Sequence, residues 1–369
     1  MALRCRVRIL AAHLQDFRNI ALARLVFEGG DAFLLGANAQ GKTAVLEACG
    51  LLTALRSFRT SDLRALVRHE SSGEAALRLV LEHEQWGEVE VEFRLRGARR
   101  QVLIDGERVE RQRDFVGRFP AVPICSDDLD LVRGGPGERR RFLDLLLAGT
   151  SPFYYDHLRA YTQLLRERNA LLKQERTGPE LAAFDLPLAK AGAALVTARE
   201  AGVAELAGAF GELYGRYAPA GETVGLTYRP SLEAPVADGF REALEGKLKR
   251  DLAVGATLSG PHRDDLELSL GGRVAREFAS EGQQRSLVLA LRLAAFQHFQ
   301  RQLGVTPVVL ADDVLNELDG RRRELFWSAL GDEVQVIATG TERPRGARPR
   351  GWQVWRVEAG TFAREEAVS

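Results

Sequence analysis

The sequence predicts an α/β chain in which a mixed sheet is organised around one strand–loop–helix unit, with an antiparallel meander beside it and a helical lobe inserted into it. Three stretches carry that expectation. An apolar run, Ala32-Phe33-Leu34-Leu35, feeds Gly36-Ala37-Asn38-Ala39-Gln40-Gly41-Lys42-Thr43 and then the helix-prone Ala44-Val45-Leu46-Glu47-Ala48-Cys49. Residues 75–108 alternate apolar and polar side chains, the mark of strands with one wet face. Residues 154–173 and about 188–217 place apolar side chains at helical spacing.

At 369 residues the chain is long enough for about two to three domain-sized units. The expected division is the N-terminal part of a first lobe over 1–118, a helical second lobe over 119–304, and the C-terminal part of the first lobe over 305–369. Lys plus Arg and Asp plus Glu each number 51, so net charge is zero and any nucleic-acid surface must be a local patch. Cys5, Cys49 and Cys125 are far apart and odd in number; this excludes a disulfide framework or a zinc-finger spacing and fits a reducing cytoplasm. Arginines at 4, 6 and 8 before Ile9-Leu10-Ala11-Ala12 superficially match a signal peptide, but His13, Gln15, Asp16 and Arg18 end the apolar run too soon. A first β-strand is expected there, and no apolar segment approaches the ~20 residues needed to cross a bilayer. The expected location is cytoplasmic, with no membrane partner.

In chain order, residues 7–26 are strand-like with a break at Asp16-Phe17-Arg18-Asn19, which spacing alone makes an ordinary exposed loop. The next segment matches G-x-x-x-x-G-K-[ST] in the order strand, loop, helix, the context that gives this phosphate-loop pattern physical meaning. Glycines at both ends let the chain curl with its amides inward, and those amides and the positive helix end cradle phosphate oxygens. Gly36, Ala37, Asn38, Ala39, Gln40, Gly41, Lys42 and Thr43 are thus the expected nucleotide contacts. Lys42 would reach the β- and γ-phosphates and Thr43 would hold Mg2+. Residues 56–63 form a polar, basic loop ending in a helix cap, followed by the meander, punctuated by Gly87, Gly97 and Asp105-Gly106.

A short strand over 120–125 leads to an acidic stretch, a Gly/Pro turn and Arg139-Arg140-Arg141; three arginines before an apolar run are expected as a solvated helix face. Thr177-Gly178-Pro179 stops the first long helix, and the two helices should form a hairpin too short for an extended coiled-coil arm. Strands are expected at 223–228 and 266–270, with a short helix near 240–248. His262 in Gly260-Pro261-His262-Arg263-Asp264-Asp265 is either part of a solvated turn or part of a site.

Two further motifs follow. Ser280-Glu281-Gly282-Gln283 opens an apolar helix: Ser280 is a good N-cap, and Gly282 leaves the helix end uncovered so that an anion could approach; a plain capped helix is the bland alternative. Residues 305–311 are an apolar strand ending in Asp312-Asp313, where one acid would hold the hydration shell of Mg2+ and the next, Asp313, would orient or deprotonate the attacking water. Residues 334–341 are one more buried strand ending in hydroxyls, where a γ-phosphate sensor would sit. The arginine-rich segment 343–350 is expected as a surface loop.

Taken in order, the phosphate loop, the Ser280 helix, the acidic strand end and the Leu318-Asp319 turn resemble the ABC-type ATPase head shared by transporters and SMC proteins. That resemblance implies a two-chain sandwich, with ATP on the phosphate loop of one subunit capped by Ser280, Gly282 and Gln283 of the other. The positive end of that helix meeting a γ-phosphate would make ATP, and not ADP, favour the dimer. Within the class the chain resembles the RecF family of bacterial recombination mediators over essentially its whole length. The matching segments are Phe17-Arg18-Asn19, Ser57-Phe58-Arg59-Thr60, Ile104-Asp105-Gly106, residues 127–144 with Gly134, Pro136, Arg139, Arg140 and Phe142, Arg168-Asn169-Ala170-Leu171-Leu172-Lys173, Gly260 to Asp265 and Ser280 to Arg285. Departures are Ser126 where the family usually has Pro, Asn316 where it has Ser or Ala, and a few extra N-terminal residues. The family's Asp313, shorter than the Glu of transporters, suggests slow hydrolysis.

The resemblance implies a slow, DNA-stimulated ATPase using ATP and Mg2+. It would bind duplex or gapped DNA as an ATP-dependent homodimer and act with RecR and RecO to bring RecA onto gaps coated by single-strand-binding protein. It also implies that Arg18 approaches the nucleotide, and leaves Arg56, Arg59, Arg94, Arg96, Arg99, Arg100 and Arg139 to Arg141 as candidates for DNA phosphates. A transporter subunit is a rival, weakened by the absence of a Leu-Ser-Gly-Gly-Gln spelling; an SMC structural protein would need a far longer coiled coil. A protein scaffold that uses ATP only as an assembly switch is separated from these by DNA-stimulated turnover.

Overall fold

The computed structural model describes residues 5–216, 218, 221–232, 236–343 and 351–366, so 344–350 of the arginine-rich segment lie outside it. In chain order the first elements are β1 (Cys5–Phe17), β2 (Ile20–Val26), β3 (Ala32–Leu35), α1 (Lys42–Ala54), β4 (Glu74–His83), β5 (Gly87–Arg96), β6 (Arg99–Ile104), β7 (Glu107–Arg108) and β8 (Ala121–Cys125). Then come α2 (Asp130–Arg133), α3 (Pro136–Thr150), α4 (Pro152–Lys173), α5 (Pro179–Gly215), β9 (Val224–Arg229), α6 (Ala237–Val254), β10 (Asp265–Leu270), β11 (Arg273–Val274) and α7 (Ala275–Phe278). The last are α8 (Glu281–Leu303), β12 (Val305–Thr306), β13 (Val308–Asp312), α9 (Gly320–Leu330), β14 (Val336–Gly340), β15 (Gln353–Glu358) and β16 (Thr361–Arg364).

The chain divides into two compact units, Met1–Asp128 with Val288–Ser369, and Leu129–Leu287. The boundaries therefore lie at 128/129 and 287/288 rather than at the expected 118/119 and 304/305. The physical reason is pairing and burial: β8 lies parallel to β13 along its whole length, from Ala121 against Val308 to Cys125 against Asp312. The later part of α8, with Leu289, Leu291, Leu293 and Phe296 buried, also belongs to the first unit.

The first unit carries a six-stranded sheet in the order β16-β15-β3-β14-β13-β8. All its pairs are parallel except β15 with β16. Strands covered on both faces read as continuous apolar runs, and β13 and β14 are buried at almost every position. A seven-stranded sheet in the order β12-β1-β4-β5-β6-β7, with β2 on β1, is the expected meander extended by the N-terminal strands. Burial alternates residue by residue along β4, so one face is packed and one is wet.

The second unit is helical, with a three-stranded antiparallel sheet in the order β11-β10-β9. α5 starts at Pro179, earlier than the expected 188, and keeps Pro187 inside it. Pro179 occupies the first turn, where no N–H is required, and Gly178 before it has φ 86°. A glycine is needed at 192, since a Cβ there would lie 2.6 Å from the Phe240 ring. At 37 residues α5 is long and apolar enough, by length and composition alone, to cross a membrane, with 50% of its most apolar window buried. The expectation that no segment reached that length counted uninterrupted large apolar residues; alanine and glycine fill the gaps here. Arg199 and Asp185, both buried, also sit on this helix.

Candidate nucleotide-binding site

The phosphate loop is built by close approaches that only certain residues allow. A Cβ on Gly36 would stand 2.3 Å from the Val357 carbonyl of β15, so the strand can pass the loop only if that position is glycine. Gly41 has φ 107° and caps α1 without a side chain, which leaves the first amides of the helix to an anion. Lys42 donates to the carbonyls of Gly36 at 2.7 Å and Ala37 at 2.9 Å, drawing its ammonium into the curl. The loop is braced from outside: Asn19 Nδ2 donates to Ala39 O at 3.2 Å, Gly360 N to Gln40 O at 3.0 Å, and Ala359 N to Gln40 Oε1 at 2.6 Å.

The acidic strand end lies beside this loop. Thr43 Oγ1 donates to Asp312 Oδ1 at 2.9 Å and Thr339 Oγ1 donates to the same oxygen at 2.8 Å. Burial pushes the Asp312 carboxyl up, and the two hydroxyl donors and Arg59 oppose it. Thr43 and Asp312 are hard oxygen donors in contact, a pair that suits Mg2+. Among the described residues no group of three or more His, Cys, Asp or Glu side chains could hold a metal, so the cation would need phosphate oxygens to complete its shell. Asp313 follows with φ 53°, and its N–H donates to Thr339 Oγ1 at 2.9 Å.

The loop and Asp313 line one cleft of about 920 Å3, with Arg18, Asn19, Arg59, Arg64, Val67, Arg68 and His69 among its other walls, and Asp312 stands behind Thr43. Arg18 does not lie in an ordinary loop. Its Nε and Nη2 each donate at 2.7 Å to Glu47, its Nη1 donates at 2.8 Å to Ala65 O, and its backbone N–H donates to Leu66 O at 2.8 Å. Glu47, on α1, is wholly buried and also accepts from Ser57 Oγ. Glu47 and the bracing role of Gln40 were not anticipated, Ser57 was given only as part of a family-matching segment, and Thr339 belongs to the strand end expected to hold a γ-phosphate sensor; a lone carboxylate in the apolar stretch 44–52 was the available clue to Glu47.

Ser280, Gly282 and Gln283 fall in the second unit. Ser280 N donates to Gln283 Oε1 at 2.8 Å and Gln283 N to Ser280 Oγ at 3.4 Å, a reciprocal capping box. Ser280 and Gly282 are exposed, while Gln283 is half-buried and donates to Glu222 at 2.8 Å. One expectation in this unit fails and one open alternative is narrowed. Arg139 is buried and paired bidentately with Asp265 at 2.7 and 2.9 Å, and Arg140 donates to Asp264 O at 2.7 Å, so of the three arginines only Arg141, facing Glu138, resembles a solvated face. The Gly260 to Asp265 turn is no solvated turn either: Asp264 is buried and bound by Arg199, and His262 sits between Tyr161 OH at 2.7 Å and Thr257 O at 2.8 Å.

A phosphate loop on a parallel sheet, an acidic strand end beside it and a capped serine helix on an inserted helical unit define an ABC-type ATPase head of the kind found in SMC proteins. The chain belongs to the RecF family. It is 37% identical over 369 residues to the DNA replication and repair protein RecF of Synechococcus sp. (strain JA-3-3Ab), covering 95% of this chain and 96% of that one. Its identity to RecF of Myxococcus xanthus (strain DK1622) is 36%, covering 91% of each. A solved structure described as the recombination mediator protein RecF with ATP in the RecFOR pathway matches with a TM-score of 0.86 at 26% identity, covering 99% of both chains. An Smc head bound to the C-terminal winged-helix domain of ScpA matches with a TM-score of 0.53 at 16% identity, a likeness of fold alone. No protein-family profile matches the chain.

Proposed function

We propose that this chain is a cytoplasmic, ATP-switched DNA-binding mediator that closes as a two-chain sandwich on duplex or gapped DNA. It would act with RecR and RecO to place RecA at single-strand gaps and reopen through slow, DNA-stimulated ATP hydrolysis. The observation that carries this reading is the convergence of Lys42, Thr43 and Asp313 on one cleft, with Asp312 bound to Thr43 beside it. Lys42 and the α1 amides would hold the phosphates, Thr43 and Asp312 would hold Mg2+, and Asp313 would orient the attacking water. Bound Mg2+ would supply charge neutralisation at the β- and γ-phosphates. Arg18, already fixed by Glu47, would present its remaining N–H groups to the nucleotide.

The exposed Ser280 and Gly282 support the sandwich, since a cap offered to a partner must be accessible. For DNA, Arg139 is buried on Asp265 and Arg140 is half-buried on the Asp264 carbonyl, whereas Arg94, Arg96, Arg99 and Arg100 line an open groove of about 670 Å3 on the meander, Arg94 and Arg96 there in exposed pairs with Glu92 and Glu74. That groove is the surface best suited to phosphates. The test is sedimentation with ATP, with ADP, and with ATP plus gapped DNA. Wild type dimerises with ATP only, and Ser280→Arg binds ATP but stays monomeric; a Ser280→Arg protein that still dimerises with ATP ends the sandwich reading.

A further inference from the structure

Thr339 stands where three strands of the central sheet meet the cleft. It lies on β14, between β3, which leads into the phosphate loop, and β13, which ends in the two acids, and it pairs in register with Leu34. Its side chain is 1% exposed. The hydroxyl donates to Asp312 Oδ1 at 2.8 Å and accepts the N–H of Asp313 at 2.9 Å. The direction of both bonds is fixed, because an amide N–H can only donate and the hydroxyl's single proton is left for the carboxylate. One hydroxyl therefore ties together the two consecutive acids.

Asp313 needs such a tie. Its φ of 53° lies in the left-handed region that side chains with a Cβ rarely adopt, and residues in such conformations persist only where their surroundings over-determine them. Among the described residues no donor meets the Asp313 carboxylate, so its direction follows from its backbone. The neighbouring Asp312 oxygen takes hydroxyl donors from both sides, Thr43 and Thr339.

We infer that Thr339 is a positioning residue: its hydroxyl holds the Asp313 backbone in the conformation that aims its carboxylate at the attacking water and fixes Asp312 Oδ1 for the cation. The inference rests on the ATP-hydrolysing reading of this cleft, and the experiment separates the two. Thr339→Val keeps shape and removes both bonds; Thr339→Ser keeps the hydroxyl. The full chain is used, with melting curves to establish that each variant is folded.

In single-turnover hydrolysis Thr339→Val slows about 10- to 100-fold, a loss of the size that misplaced reacting groups produce, while ATP affinity without magnesium changes less than about threefold. Thr339→Ser stays within about threefold of wild type in both. In fluorescent-ATP binding, the magnesium concentration for half-maximal effect rises about fivefold in Thr339→Val. Wild-type turnover in Thr339→Val, or equal loss in Thr339→Ser, overturns the inference. If wild type binds ATP without hydrolysing it, the hydrolysis reading falls and the inference is judged by magnesium dependence alone: equal dependence in wild type and Thr339→Val ends it, and a rise upholds the hold on Asp312.

Discussion

Polar groups are closed on one another in the helical unit and left partly open at the cleft of the ATPase unit. In the helical unit charges answer one another. Arg199 reaches Asp144 at 2.8 Å, Asp264 at 2.9 Å, the Pro261 carbonyl at 2.7 Å and the Tyr154 hydroxyl at 3.0 Å. Arg168 reaches Asp185 at 2.9 Å, Asp251 at 2.8 Å and Thr257 at 2.7 Å. Burial would lower the Arg199 pKa, but Asp144 and its other partners hold it well above the ordinary value, and burial likewise pushes Tyr154 up. In the ATPase unit Arg18 with Glu47 and Arg292 with Asp128 are paired likewise, but the cleft leaves groups open: the α1 amides lack a side-chain cap, and the Asp313 carboxylate meets no donor among the described residues. Polarity closed on itself builds a scaffold, whereas polarity left open at one place builds a site.

That contrast breaks most visibly at its two ends. Lys42→Ala is expected to lower nucleotide affinity by more than about 100-fold, since it removes the charge-assisted contacts to the phosphates, and to leave the melting temperature within a few degrees. Fluorescent-ATP titration with calorimetry checks both, and a collapse in melting temperature would move Lys42 into the scaffold. Arg199→Ala is expected to cost about 3–5 kcal/mol of stability, because Asp144 and Asp264 are left buried without their cation. Denaturant unfolding measures it, and molecules still folded should bind ATP as wild type does. Gly36→Ala lies between: its Cβ must push back β15, costing about 1–3 kcal/mol and weakening ATP binding about tenfold, readable in the same two assays. The smallest effect sharpens the picture of the interior. Burial pushes the Cys49 thiol up to about 12 and Cys125 well above its usual value, whereas Cys5 is only partly buried. A thiolate reagent at pH 8 should therefore label Cys5 first, and Cys49 and Cys125 only on unfolding.

What was legible in the sequence depended on how local the cause was. The phosphate loop, the alternating meander and the acidic strand end are written in consecutive residues, and the family match carries their fold. The Arg139 segment was misjudged as solvent-facing, and the Asp264 segment was left open between a solvated turn and a site, because their partners are distant in the chain, Asp265 126 positions from Arg139 and Arg199 65 from Asp264, and nothing nearby announces that a charge will be buried. Pro187 hid the start of α5, since a proline inside a helix looks like its beginning. Glu47 escaped for the same reason as Arg139, and the hydroxyls at the end of 334–341 were expected as a γ-phosphate sensor rather than as a tie between two acids: the importance of each lies in what a distant strand or turn brings to it. The proposed roles of Ser280, Gly282 and Gln283 would depend on a second chain, which no single sequence shows.

The bracing of Gln40 by Ala359 and Gly360, together with β3 lying between β14 and β15, has a consequence for biosynthesis. The nucleotide loop is translated well before β14 and β15, which flank its strand, and before the turn that props it. A nascent polypeptide halted before residue 353 would carry the whole loop sequence and still lack the β15 neighbour and the propping turn of its pocket.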